Sequence, residues 1–440
     1  GTSALAITWE LFGEFNTASN AENTFAWTAD IGELDENGFE TSGTITVTNV
    51  EYIVINEENF PDEIFRTYVD TNFDTTDDDV LDSHEIAAAT AINVSNMGIT
   101  DLTGVEHFTA LIYLSCYSNQ LTGLDLSKNT ALTNLECYNN QLTSLDVSKN
   151  TELERLDCDS NQLTSLDVSK NTALKTLSCD FNQLTSFDVS NNAALEILYC
   201  NNNQLTSLDV SQNTALTELN CSSNQLTDLD VSQNTALTEL NCYSNQLTSL
   251  DVSNNTALIV LECNYNELTI LDVSQNTMLE SLIAYNNQLT RLDVSGCTAL
   301  IHLDVDYNCL TSLDLSRNTA LETLYCDVDG YEIDLIGGTF DLTALPEGFD
   351  VTKASEWTNA TVEGDILTVS DPTSDISYTY ELGNGNTEVF TLTPVSCTLT
   401  EDMVSAMDDQ TYSGEALEPV KIVCGGYTLV KDTDYTISYE

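Results

Sequence analysis

Eight cysteines share one 21-residue period: Cys116, Cys137, Cys158, Cys179, Cys200, Cys221, Cys242 and Cys263. Such a ladder of thiols could hold metal, exchange disulfides or fill a core. The same phase continues as Ala284, Val305 and Cys326, so the position demands a small apolar side chain rather than sulfur chemistry. No Cys-x-x-Cys occurs. In-register parallel strands would hold neighbouring Cβ atoms about 4.8 Å apart with parallel vectors, which is poor disulfide geometry. The ladder therefore reads as free thiols in a core. Cys297, Cys309, Cys397 and Cys424 lie outside it, and a Cys397–Cys424 bridge is left open. His84, His107 and His302 are scattered, and no G-x-S-x-G, H-E-x-x-H or phosphate-binding glycine loop is present. Carboxylate pairs arise by chance among 71 acidic residues, so none reads as an acid/base dyad. The chain is not expected to be an enzyme.

Those 71 acids face 11 Lys and Arg, a net charge of −60. A nucleic-acid ligand is excluded by the missing basic footprint, and docking to an anionic membrane is disfavoured. No apolar run approaches the ~18 residues of a membrane span, so no membrane insertion is expected. Attraction to cations is expected instead. The segment Asp74–Glu85 resembles an EF-hand calcium loop. The resemblance places Asp74, Thr76 and Asp78 at positions 1, 3 and 5, the Val80 carbonyl at 7, Asp82 at 9 and Glu85 at 12, and implies a structural calcium ion. Asp79 stands where such loops carry Gly, and Thr76 is a neutral ligand. Pro61, Asp62 and Glu63 suit a first helical turn, and Phe65, Val69 and Phe73 recur every four residues after it. A short exit helix follows around Ser83–Ala89.

The elements that position these residues come from the repeat. Asn119, Asn140, Asn161, Asn182, Asn203, Asn224, Asn245, Asn266, Asn287 and Asn308 share the period of the cysteines. One unit holds two half-patterns, Leu132-x-x-Leu135-x-Cys137-x-x-Asn140-x-Leu142 and Leu142-x-x-Leu145-x-Val147-x-x-Asn150. Alternation of apolar residues predicts an extended segment in each half, with Asn and Ser-x-Asn-Thr as turn chemistry. The first half resembles the leucine-rich-repeat signature, and the whole resembles bacterial surface proteins of the internalin-like kind, with Cys in place of the third Leu. That resemblance implies a β-rich, right-handed leucine-rich-repeat solenoid with a parallel concave sheet. Twelve strands are expected, the first at Ile92 and then one per repeat from Leu114 to Leu324. The Asn ladder is expected to satisfy backbone groups at buried turns. A second ladder, Asp125, Asp146 and onward to Asp314, is expected to face solvent.

Five segments are expected: a small β element over 1–50, a helical EF-hand-like cap over 51–91, the solenoid over 92–345, a β-domain over 346–396, and a module over 397–440 whose DQTYSGEALEPV and YTLVKDTDYTISYE resemble bacterial Ig-like repeats. The last stops at Glu440 with no obvious closing strand, as a truncated module would. The residues flanking the inward Leu and Cys of each coil vary while the core repeats. They are rich in Tyr and acid, and Tyr199, Tyr243, Ile283 and Tyr285 form the expected ligand-binding group. The leading expectation is a monomeric, secreted or bacterial cell-surface protein that recognises a protein or glycan ligand on its concave face. A structural stalk displaying the β-modules is the alternative, and a hydrolase a remote one.

Overall fold

The computed structural model describes residues 52–395, together with the strands Ala6–Leu11, Glu22–Asp30, Ser42–Thr48, Val423–Cys424 and Tyr427–Thr428. The first three strands form an antiparallel sheet. The last two pair with each other. Otherwise the expected Ig-like module, and with it the Cys397–Cys424 question, lies outside the described residues. The chain divides into two units, Gly1–Asn171 and Thr172–Glu440.

In the first unit, helix α1 (Glu63–Phe73) begins at Asp62, whose Oδ1 accepts the N–H groups of Ile64 and Phe65 at 3.0 and 3.1 Å. Its Oδ2 accepts from Thr100 N–H at 2.9 Å, so one carboxylate caps the helix and ties it to the first coil. Phe65 and Val69 are buried, and the Phe73 ring lies 5.0 Å from Phe108. Gly104, at φ +105°, lies so close to the Phe60 ring that a Cβ would collide with it. Helix α2 (Ser83–Ala88) starts in a capping box: Asp82 accepts from His84 and Glu85, and Glu85 Oε2 accepts from Asp82 N–H. This cap shields the end of the coils, as a solenoid requires.

The coils form a parallel β-solenoid with twelve three-residue strands, as the period predicts. Ala91–Asn93, Tyr113–Ser115, Asn134–Glu136 and Arg155–Asp157 belong to the first unit. The second holds eight, from Thr176–Ser178 to Thr323–Tyr325. Partners lie one repeat apart in register, for instance Leu198 beside Leu219 and Leu219 beside Leu240. The central Leu of almost every strand is buried, and so is each ladder Cys. The ladder cysteines are free, as expected.

The second half of the repeat forms no continuous sheet among the described residues, where isolated parallel bridges join Asp251, Asp272 and Asp293. Its backbone bonds elsewhere. Ser148 N–H donates to Asp146 Oδ1 at 2.9 Å, and the same pair recurs at Asp209–Ser211 and Asp251–Ser253. The outward Asp ladder thus closes turns, and these bonds hold its carboxyls below their usual range.

Two Asn ladders hold the coils together. Asn140 Nδ2 donates to the carbonyls of Cys116 and Cys137 at 3.0 Å, while its Oδ1 accepts Leu121 N–H at 3.0 Å. Asn150, read from the sequence as turn chemistry, is fully buried and donates to Leu126 and Asn129 carbonyls. Cys297 occupies this second ladder, its Sγ donating to Val273 O at 3.4 Å where neighbouring coils use an amide. Beyond the last coil, Tyr331–Asp334 pairs in parallel with Asn386–Val395, so residues before 346 already belong to the C-terminal sheets. Tyr378 is buried and donates to Thr311 O, and Leu315 N–H donates to Leu382 O at 2.7 Å. The C-terminal sheets therefore close the final coil.

Candidate binding surface

Most strands bury their middle residue and leave the first and third half-buried, as Ile197–Tyr199 and Glu218–Asn220 do. The outward columns deduced from the repeat therefore keep their register. In the first unit, Tyr113 Oη and Ser115 Oγ both donate to Glu136 Oε2, at 2.8 and 3.0 Å. The rings of Tyr117 and Tyr138 stack at 4.4 Å with an interplanar angle of 6°. Arg155 lies 3.8 Å from Glu136 and 3.4 Å from Asp157. Burial and the neighbouring Asp159 push the Asp157 carboxyl up to about 7, against the pull of Arg155.

In the second unit, Tyr199 donates to Glu218, and Asn241 Nδ2 donates to Glu262 Oε2 at 2.6 Å. These residues, with Glu239 and Val260, line a shallow cavity of about 180 Å³. Burial raises the Tyr199 hydroxyl to about 12, reinforced by Glu218. Burial, then the charge of Glu239, raises the Glu262 carboxyl.

The four residues singled out from the sequence do not meet at one point. Tyr199 and Ile283 end strands four rungs apart, roughly 19 Å at 4.8 Å per rung. Tyr243 follows the strand midway and is half-buried, with its N–H bonded to Asn241 Oδ1. Ile283 lies between Glu262 and Asp304 in register. Tyr285 meets a ring the sequence reading passed over, Tyr265, edge-on at 5.1 Å. Tyr113, Tyr117, Tyr138 and Glu136 were likewise missed as a group. Their signal was the recurrence of Tyr in adjacent coils.

Within Asp74–Glu85 the carboxylates accept hydrogen bonds from the loop itself. Asp74 Oδ1 accepts Asp77 N–H at 2.7 Å, and Asp74 Oδ2 accepts Asp79 N–H at 2.9 Å. Glu85 Oε1 accepts from Thr75 N–H and Oγ1 at 2.7 and 2.8 Å. Among the described residues, no three His, Cys, Asp or Glu side chains converge as a metal cluster.

The coil geometry has close relatives. A model of two leucine-rich repeats matches residues 193–234. Internalin J of Listeria monocytogenes serotype 4b is 43% identical over 71 residues, which is 16% of this chain and 8% of that protein. The chain thus spans a small part of the length of the curated relatives it matches. The functional domain of InlJ from Listeria monocytogenes, which includes a cysteine ladder, is 30% identical across 78% of this chain and 98% of that domain, with a TM-score of 0.51. The chain belongs to the internalin family. An internalin, InlF, from the same species is 25% identical over 62% of this chain and 84% of its own, with a TM-score of 0.57. This kinship makes the protein a secreted or cell-surface bacterial protein, in a family of non-catalytic, binding type. No helix among the described residues is long and apolar enough to cross a membrane.

Proposed function

We propose that the protein recognises a protein or glycan ligand as a monomer on the concave strand face of its solenoid, with Tyr199, Tyr243, Ile283 and Tyr285 among the contacts. The observation that carries this reading is contrast. The buried positions repeat from coil to coil, while the outward strand positions change and gather Tyr, Glu and Asn. Tyr offers large contact area at low entropy cost. Once a partner is in hand, Tyr243→Ala and Tyr285→Ala should each weaken it by about 1–3 kcal/mol with little change in melting temperature. Unchanged affinity in both, with loss on removing residues 397–440, would transfer recognition to the terminal module and leave the solenoid as a stalk.

The cap carries a second proposal, a structural calcium ion held by Asp74, Thr76, Asp78, the Val80 carbonyl, Asp82 and Glu85. Asp77 and Asp79 adopt φ of 57° and 61°, the left-handed turns that let a twelve-residue loop wrap its oxygens inward. Calcium should raise the melting temperature of the protein, and Glu85→Gln should abolish the rise. A melting temperature indifferent to both calcium and EDTA would refute the ion.

A further inference from the structure

In ten successive coils, from Ser118 to Tyr307, one residue just past the strand takes a left-handed conformation with φ between 49° and 54°. Its backbone N–H donates to the next coil, as Tyr265 does to Tyr285 O at 3.0 Å, so the conformation is locked by the solenoid itself. Ser118, Asn139, Ser160, Asn202, Ser223, Ser244 and Asn286 fill the position with the small polar side chains that suit it. Phe181, Tyr265 and Tyr307 do not. A bulky aromatic there carries backbone strain, and these three also stand about half exposed, at 54, 51 and 51%. Ser or Asn makes the same turn without that strain in the neighbouring coils. Strain retained against a local rule marks a surface kept for contact.

Around Tyr265 and Tyr307 the neighbouring side chains say what that contact is. Tyr285 sets its ring edge-on to Tyr265 between them. Asp304 Oδ1 accepts Asp306 N–H at 3.2 Å, and Asp306 Oδ1 accepts Asp327 N–H at 2.6 Å, so one coil carries two carboxylates, of which Asp304 acts by its charge on the Tyr285 hydroxyl. Burial raises the Asp304 carboxyl and the Asp306 charge adds to it, while the Asp306 N–H and His302 pull the other way. Aromatic faces beside carboxylates are the complement of a guanidinium or ammonium group, by cation–π contact and charge-assisted hydrogen bonding. An anionic ligand is repelled by a chain of net charge −60.

We propose that the strand-exit edge formed by Tyr265, Tyr285 and Tyr307 with Asp304 and Asp306 docks an arginine- or lysine-bearing segment of a protein partner. This rests on the recognition reading and names the partner's chemistry. The test uses the full chain and a fluorescent peptide of alternating Arg and Gly, with a citrulline-for-Arg peptide as its neutral counterpart. Anisotropy should show binding of the Arg peptide at ~0.15 M salt, weakening at higher salt, and none of the citrulline peptide. Tyr265→Asn and Tyr307→Asn should each weaken the Arg peptide about ten-fold while the melting temperature stays level or rises. Both variants keep the net charge of −60, so bulk attraction cannot explain such a loss. Ser244→Asn, in the same column, should leave binding unchanged. Equal binding by the Tyr variants and the parent would reduce the effect to diffuse charge and overturn the site. A fall of the melting temperature in both would make the aromatics structural and overturn it too. Binding of neutral glycans that Tyr265→Asn abolishes, without binding of the Arg peptide, would overturn the cationic partner and leave recognition on this face standing.

Discussion

Raising the pH from about 8 to about 10 should strip the solenoid of most of its stability, through the thiols of its core. Burial pushes Cys116, Cys221 and Cys263 up to about 12, and Cys137, Cys200 and Cys242 well above the ordinary thiol value of 9.0. The buried thiol must stay neutral, whereas the unfolded chain ionises freely. The contribution is therefore fully present well below pH 9 and drains away as pH climbs through 9 toward the folded value. At one unit above the unfolded pKa each thiol forfeits about 1.4 kcal/mol, and six together forfeit roughly 8. That is comparable to the ~5–15 kcal/mol that holds a domain folded. Circular-dichroism melts at the two pH values should show the drop. A variant with Cys137, Cys200 and Cys242 replaced by Val, the residue native at Val305 in the same phase, should lose about half as much. An equal alkaline drop in parent and variant would assign the effect to tyrosines or to charge repulsion instead.

The thiol ladder, its free state and the strand register were legible because one physical demand repeats in every coil. Alternation of Leu, an outward residue and Cys fixes which side chains face in, and the constant repeat length fixes the rung. The cap helices were legible for a similar local reason, the Asp62 and Asp82 caps and the Phe65–Val69 spacing. What escaped was whatever depends on which of two similar patterns the backbone uses. Leu142 to Val147 alternates as cleanly as Leu132 to Cys137, yet at its two ends the N–H groups of Leu142 and Ser148 go to the side chains of Asn161 and Asp146. Likewise, Tyr265 shares its left-handed φ with Ser244 and Asn286, and only the backbone shows that its ring stands where the other coils carry a small polar side chain. The closure of the last coil joins Tyr378 to Thr311, a contact 67 residues long in sequence that no local period encodes.

Asn224→Ala should destabilise the protein by about 3–5 kcal/mol, whereas Asn234→Cys should cost only about 1–2, although both side chains are buried ladder amides. The difference lies in what each leaves behind. Asn224 Nδ2 donates to the carbonyls of Cys200, Cys221 and Ser222, each at 3.1 Å, and its Oδ1 accepts Leu205 N–H at 2.9 Å. Alanine strands that N–H and carbonyls of two successive coils in a buried place, where each unmade bond carries its full desolvation penalty. Asn234 does less. Its Nδ2 donates to Val210 O and Asn213 O at 2.9 and 2.8 Å, and its Oδ1 has no hydrogen-bond partner among the described residues. A thiol keeps one donor, and the chain already carries this exchange in Cys297, whose Sγ reaches Val273 O from the equivalent position. Asn224→Cys would have no such precedent, since the four bonds converge from both sides of the amide. Urea unfolding of the three variants should rank them Asn234→Cys, then Asn224→Cys and Asn224→Ala close together. Equal losses at Asn224 and Asn234 would mean that the coils are held by apolar stacking alone, with the amides filling space rather than joining one coil to the next.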